Sequence, residues 1–287
     1  FHNFRNTDGE WLDEHGSEDS HGRALWALGH LARHADEPMH RYEAIYLFQR
    51  ALPVVNEFTS PRAWAFTLLG IAAMRSTPLA HHFAEDVQSM LGRRLMDLHR
   101  NCADARWRWF EDVLSYDNAR LPQALLVTAA QTGDLAMRAV ALDTLAWLMR
   151  RQRSEIGHFR AIGSDRVFHR SDTAPAQWDQ QPVEAAASFA ACHEAMRHGR
   201  HIDWLALANA THAWFDGAND LGLPIGDVLT GACHDGLQQF GLNQNRGAES
   251  MLAYLQTCAD AIHQQHTAAQ HNLAVIHHEH EPVEAGT

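Results

Sequence analysis

A chain of 287 residues with 46% hydrophobic content can bury one large core, which excludes wholesale disorder. A formal net charge of −12 excludes a nucleic-acid groove, because neutralising phosphates takes clustered cations. All 23 basic residues are Arg, so chemistry that needs Lys, such as a P-loop clamp or a Schiff base, is excluded too.

In chain order, residues 1–15 read as an aromatic-bearing loop, after which Ser17 or Asp19 caps a helix to about residue 35. A second helix is expected over about 39–57, interrupted at Pro53, a third from Ser60-Pro61 to about 75, and a fourth over about 79–101. The stretch WRWFEDVLSYDNARLPQALL, residues 107–126, crowds aromatics, two adjacent acids and a Tyr-Asp-Asn cluster into the approach to a fifth helix, over about 121–131. Ser115, Asp117 and Asn118 are all able to cap that helix. A sixth helix runs from Asp134 to about 151. Residues 153–181 form a long irregular region, and a loop of that length is usually functional or mobile.

Helices follow over about 182–197 and 202–214, then a polar loop over 215–245, a helix over about 247–265 and a polar tail from 267 to 287. No convincing period-two strand pattern occurs, so the class is all-α, with one domain over residues 1–266. Cys102, Cys192, Cys233 and Cys258 form no CxxC pair, which points to reduced thiols in a cytoplasmic protein. No apolar run approaches the roughly 20 residues of a membrane span. No signal peptide is visible, and the start at Phe1 without Met reads as a fragment or a processed product. The HHEH run at 277–280 reads as a solvated end, so neither a metal nor a cofactor is expected.

One design recurs before four helices. GSEDSHGRALWALG (16–29), SYDNARLPQALL (115–126), WDQQPVEAAASFAA (178–191) and NQNRGAESMLAYL (243–255) each run a polar cluster into an Ala/Leu-rich helical pattern. Together with GHFRAIG (157–163), NDLGLP (219–224) and TGACHDGL (230–237), these segments resemble one bacterial family. It is the helical-toroid domain found in group 1 glycosyltransferase proteins and associated with mannoside metabolism. Its fold is similar to that of the six-hairpin glycosidases and the N-acylglucosamine 2-epimerase group. The resemblance implies an (α/α)6-type toroid over nearly the whole chain. The family's front hairpin has no counterpart before Phe1, so one hairpin is expected to be missing. With no nucleotide-sugar-binding α/β domain in the chain, glycosyl transfer is not supported.

A glycosidase site needs one carboxyl as acid and another carboxylate as base or nucleophile. Asp19, Glu111, Glu184 and Asp235 lie in or beside the matched motifs near helix starts and are the candidate catalytic residues. For each acid singly, the plain alternative is a helix cap or an Arg ion pair. Glu249 is a candidate partner of Arg120 or Arg23. Trp109, Tyr116 and Trp178 are candidate stacking rings. Asn118, Gln180, Gln181, Asn219, Asp220, Asn243 and Asn245, with His21 and Arg23 of the first motif, are candidate contacts to sugar hydroxyls. Three readings follow: a glycoside hydrolase on a mannose-type or related oligosaccharide, a sugar epimerase using two His such as His21 and His158, and a non-catalytic carbohydrate-binding module. A saccharide ligand is thus the expected partner, with neither nucleic acid nor membrane.

Overall fold

The computed structural model describes residues 1–77, 82–199 and 201–279, and among these the chain is all-α. The helices are α1 (Glu18–His34), α2 (Pro38–Ala51), α3 (Pro61–Arg75), α4 (Glu85–Cys102), α5 (Arg120–Thr132), α6 (Leu135–Arg151), α7 (Pro182–Ala195), α8 (Trp204–Phe215) and α9 (Ala248–Glu279). A 3₁₀ turn, Leu52–Glu57, follows α2, so Pro53 ends that α-helix, as its missing N–H requires. Side-chain caps set four of these starts. Ser17, Ser60, Asp134 and Asp203 each accept a backbone N–H three residues on. Gly133, at φ +74°, closes α5 in the left-handed conformation that a side chain disfavours.

Four two-residue strands escaped the sequence pattern, being too short to alternate. β1 (Val113–Leu114) pairs antiparallel with β2 (Phe168–His169), which ties the approach to α5 to the long irregular region. β3 (Leu237–Gln238) pairs with β4 (Gly241–Leu242) in a hairpin. The last helix is longer than expected: α9 continues to Glu279, where a polar tail was anticipated from 267. His280, the end of the HHEH run, lies outside the described residues, as do residues 78–81 near the expected start of α4.

The odd-numbered helices pack in succession, α1 on α3, α3 on α5, α5 on α7 and α7 on α9. The even-numbered ones sit against them as flanks, α2 on α1, α4 on α3 and α5, α6 on α5 and α7, and α8 on α7 and α9. The α1–α3 contact is the tightest. A Cβ on Gly22 would meet the Ala63 carbonyl, and one on Gly29 would overlap the backbone of Gly70. The offset between partners is the same at both points, so α1 and α3 run parallel. Gly29→Ala is therefore expected to destabilise by about 1–3 kcal/mol through overpacking. Urea unfolding checks this, and a change below 0.5 kcal/mol, the size of an ordinary surface substitution, would contradict the close contact.

One hydrophobic core runs from α1 to α9 and contains the aromatic group Trp107, Trp109, Phe110, Trp147 and Phe168. Among the described residues no helix is long and apolar enough to cross a membrane.

Candidate functional site

The approach to α5 is the joint of the site. Asp104 turns the chain by accepting the N–H groups of Arg106 and Trp107, at 2.7 and 2.8 Å. Trp109 and Phe110 then enter the core, so Trp109 is fully buried among Phe110 and Trp147 rather than offered to a ligand. Asp117 takes a left-handed backbone, φ +49°, which reverses the chain into α5. None of Ser115, Asp117 and Asn118 caps the helix; Ala119 occupies the cap position without a side-chain bond.

Those side chains are used between helices instead. Asn118 accepts from Arg62 of α3 at 3.1 Å and donates to Glu184 of α7 at 3.0 Å. Arg62 also donates to the Tyr116 carbonyl and to Glu111 at 2.6 Å. Asp117, with no exposed surface, accepts from Arg23 of α1 at 2.9 Å and from Arg120 of α5 at 3.2 Å. Arg23 turns its Nε to Asp19, and the Tyr116 hydroxyl donates to the same carboxylate, both at 2.8 Å. Three guanidinium groups lie over aromatic rings, Arg23 on Phe66, Arg62 on Tyr116 and Arg120 on Trp26. Glu18 accepts the Thr59 and Ser60 N–H groups, so the N-terminal ends of α1, α3, α5 and α7 are all joined here. Glu249, at the start of α9, adds its charge to the field on Arg23.

This knot closes one end of a cavity of about 1060 Å³. Its walls come from α1, α3, α5, α7 and α9 and the residues beside them, and none of its lining residues lies on an even-numbered helix. Asp19, Arg23 and Tyr116, with Glu249, hold one end; His30, Arg33, Glu194, Arg197 and Asp260 hold the other. Along α1 the lining reaches from Asp19 to Arg33, a rise of roughly 21 Å at 1.5 Å per residue. Alanines and Val127 line much of the wall between. The small side chains leave the space; the ends carry the chemistry.

Of the anticipated catalytic acids, Asp19 alone lines this cavity. Glu111 is held by Arg62. Asp235 accepts the Gly247 N–H ahead of α9 at 2.6 Å and is bonded by Asn245. Burial alone would raise the Asp235 pKa, and the bonds from Gly247, Ser250 and Asn245 outweigh it and hold the group below its ordinary value. Glu184 is 2% exposed, and its Oε1 has no hydrogen-bond partner. Burial first, then the nearby charge of Asp117, pushes its pKa up to about 7.

Linkage gives that shift a sign. Between the ordinary value of 4.5 and about 7, the folded state holds a proton on Glu184 that the unfolded state releases. Stability from this group is therefore complete below pH 4.5 and falls as pH rises to about 7. Glu184→Gln, which imitates the protonated acid, is expected to flatten that slope and to be more stable than the parent above pH 7, by on the order of 3 kcal/mol. Denaturation midpoints against pH test it; parallel curves for the two proteins would contradict it.

The remaining candidates are gathered elsewhere or are structural. Asp220 has a side chain only 6% exposed: burial would raise its pKa, yet Arg160, Gln180 and His158 hold it low. Gln180 also accepts the Trp214 indole N–H. Asn219 bridges the Trp214 and Leu223 carbonyls, a turn-building role. Gln181 occupies the N-cap position of α7 without capping it by its side chain. His21 donates its Nε2–H to the Ala51 carbonyl at 2.8 Å and packs on Phe1 and Phe58, while His158 faces Asp220; neither lines the cavity. Trp178, half-buried, and Asn243 line a smaller hollow beside the β3–β4 hairpin. Sequence reasoning missed Gln123, Glu194 and Asp260. The signal was present on α9, where Glu249, Gln256 and Asp260 fall on one helical stripe beside Ala253. Among the described residues, no group of three or more His, Cys, Asp or Glu is gathered as a metal site.

No protein-family model matches the chain, and no curated protein matches it either.

Proposed function

We propose that the chain is a glycoside hydrolase of (α/α)6-toroid type, acting on a mannose-type or related oligosaccharide at the Asp19–Glu249 end of its cavity. The observation that carries this reading is the meeting, at that end, of two carboxylates, an Arg and a half-exposed Tyr ring. Glycoside hydrolysis asks for two carboxyl groups across a sugar, about 5–5.5 Å apart for retention or 6.5–9.5 Å for inversion. Asp19 accepts from Arg23 and Tyr116, which orients it as the base or nucleophile. Glu249 is the proton donor in this reading. Tyr116 offers a ring face to the apolar side of a pyranose, and Gln123 and Gln256 read hydroxyls. The succession of odd helices around one cavity, with even helices flanking, supports the toroid.

The test is incubation of the purified chain with manno- and gluco-oligosaccharides, assayed for new reducing ends. Release by the parent chain and its loss in Glu249→Gln are expected. Equal release by both would sink the assignment of Glu249. A second reading, a carbohydrate-binding module, draws on the fact that Glu111, Glu184 and Asp235 are all engaged within the fold. Line broadening of a saccharide that is never cleaved is its signature.

A further inference from the structure

We propose that the hollow beside the β3–β4 hairpin is an accessory subsite for neutral sugar units of the same oligosaccharide chain. The proposal rests on the hydrolase or binding reading above. The hollow measures about 660 Å³ and is walled by Asp165, Trp178, Asp179 and the segment 238–244.

Phe240 is the telling residue. It is 93% exposed, in the two-residue connection between Gln238 and Gly241. Turn chemistry favours Gly, Asn or Asp at such a position, not a large ring held in water. The ring sits on a fixed base. Leu237 has no exposed surface and exchanges backbone hydrogen bonds with Gln180 in both directions, at 2.9 and 3.0 Å. Trp178 supplies a second aromatic wall, only partly buried. Asp179, between Trp178 and Gln180, holds a left-handed backbone at φ +57°, fixed by a bond from the Ser164 N–H to its carbonyl at 3.0 Å. A non-glycine residue in that region stores strain, and such strain concentrates at functional sites.

The wall chemistry selects the ligand class. Gln238, Gln239 and Gln244 offer planar amides, Asp165 and Asp179 offer acceptors, and no Arg or His lines the hollow. An anion would meet two carboxylates and no cation there. A hydroxyl-rich neutral ring finds stacking faces and paired acceptors together.

The two cavities are neighbours along the chain, without a lining residue in common. Asp179 lines the small one and Val183 the large one, four residues on; Gln244 and Glu249 are likewise five apart. At no more than 3.6 Å per residue those separations are at most about 14 and 18 Å, within the reach of a linear oligosaccharide. The substrate is therefore a chain of several units, held at its far end by this hollow.

Isothermal titration with S-linked manno-oligosaccharides, which resist cleavage, tests this on the full chain and on Phe240→Ala. So exposed a side chain can be removed without disturbing the fold. Affinity is expected to rise from the mono- to the hexasaccharide in the parent, and Phe240→Ala to weaken the hexasaccharide alone, roughly 3- to 10-fold. Binding that is independent of length, or equal in both proteins, overturns the subsite and leaves the main-cavity reading standing. No binding of any length to either protein overturns both.

Discussion

Asp117→Asn is expected to destabilise the protein by about 3–5 kcal/mol, the largest effect of any single substitution considered. Asn tolerates the left-handed backbone at φ +49°, so the change removes charge and leaves geometry intact. What is lost is the one carboxylate that both Arg23 and Arg120 share. Arg120 is 4% exposed and lies over Trp26, with Gln123 as its other hydrogen-bond partner. An amide NH₂ in place of an anionic oxygen leaves a buried cation against a donor, which costs more than the pair itself contributed. A second readout follows from Glu184. The Asp117 charge helps raise that carboxyl, so Asp117→Asn should lower the Glu184 pKa from about 7. Urea unfolding measures the first effect and carbon-detected NMR titration of the Glu184 carboxyl the second. A cost below 1 kcal/mol would show the guanidinium groups to be satisfied without Asp117.

Asp19→Asn is expected to lower kcat on manno-oligosaccharides by 10²–10⁴-fold with a small change in KM, the usual contribution of a positioned acid or base. The fold should tolerate it, because the Asp19 side chain is 29% exposed and Asn can still accept from Tyr116. A merely structural Asp19 would instead show a lowered unfolding midpoint with kcat retained. Burial and the Asp19 hydrogen bond also raise the Tyr116 phenol's pKa, burial being the larger cause. Tyr116 therefore stays a hydrogen-bond donor throughout the neutral range.

How much of this was legible in the sequence follows the range of the forces involved. Local chemistry was readable: Ser17, Ser60-Pro61, Gly133 and Asp134 mark helix boundaries close to where they fall. Residues 115–118 were misread for the opposite reason. Three good capping side chains within four residues look local, yet Asp117 and Asn118 are bonded to α1, α3 and α7, far away in sequence. The end of α9 was missed because its His, Gln and Asn made residues 267–279 read as a polar tail, although Ala268, Ala269, Leu273 and Ala274 favour helix and Ala269, Leu273 and Ile276 fall at helical spacing. The interlock of Gly29 with Gly70 left no trace in either helix alone.

The candidate site divides the same way. Asp19, Arg23 and Tyr116 were named from their motifs and line the cavity. Glu111, Glu184 and Asp235 shared the same signature, an acid near a helix start, and are engaged within the fold. One pattern serves two purposes, and the partner that decides between them comes from another helix. Glu194 lay at the far end of α7 and Asp260 inside α9, where no motif drew attention, and only the packing brings them to the cavity.

The most direct test of the central claim is proton NMR of the anomeric signals during the first minutes of incubation with a manno-oligosaccharide. One new reducing-end anomer ahead of mutarotation is expected from the parent chain and none from Asp19→Asn. Unchanged anomeric signals from the parent, with the fold intact by near-ultraviolet circular dichroism, would contradict it and leave the cavity a binding site.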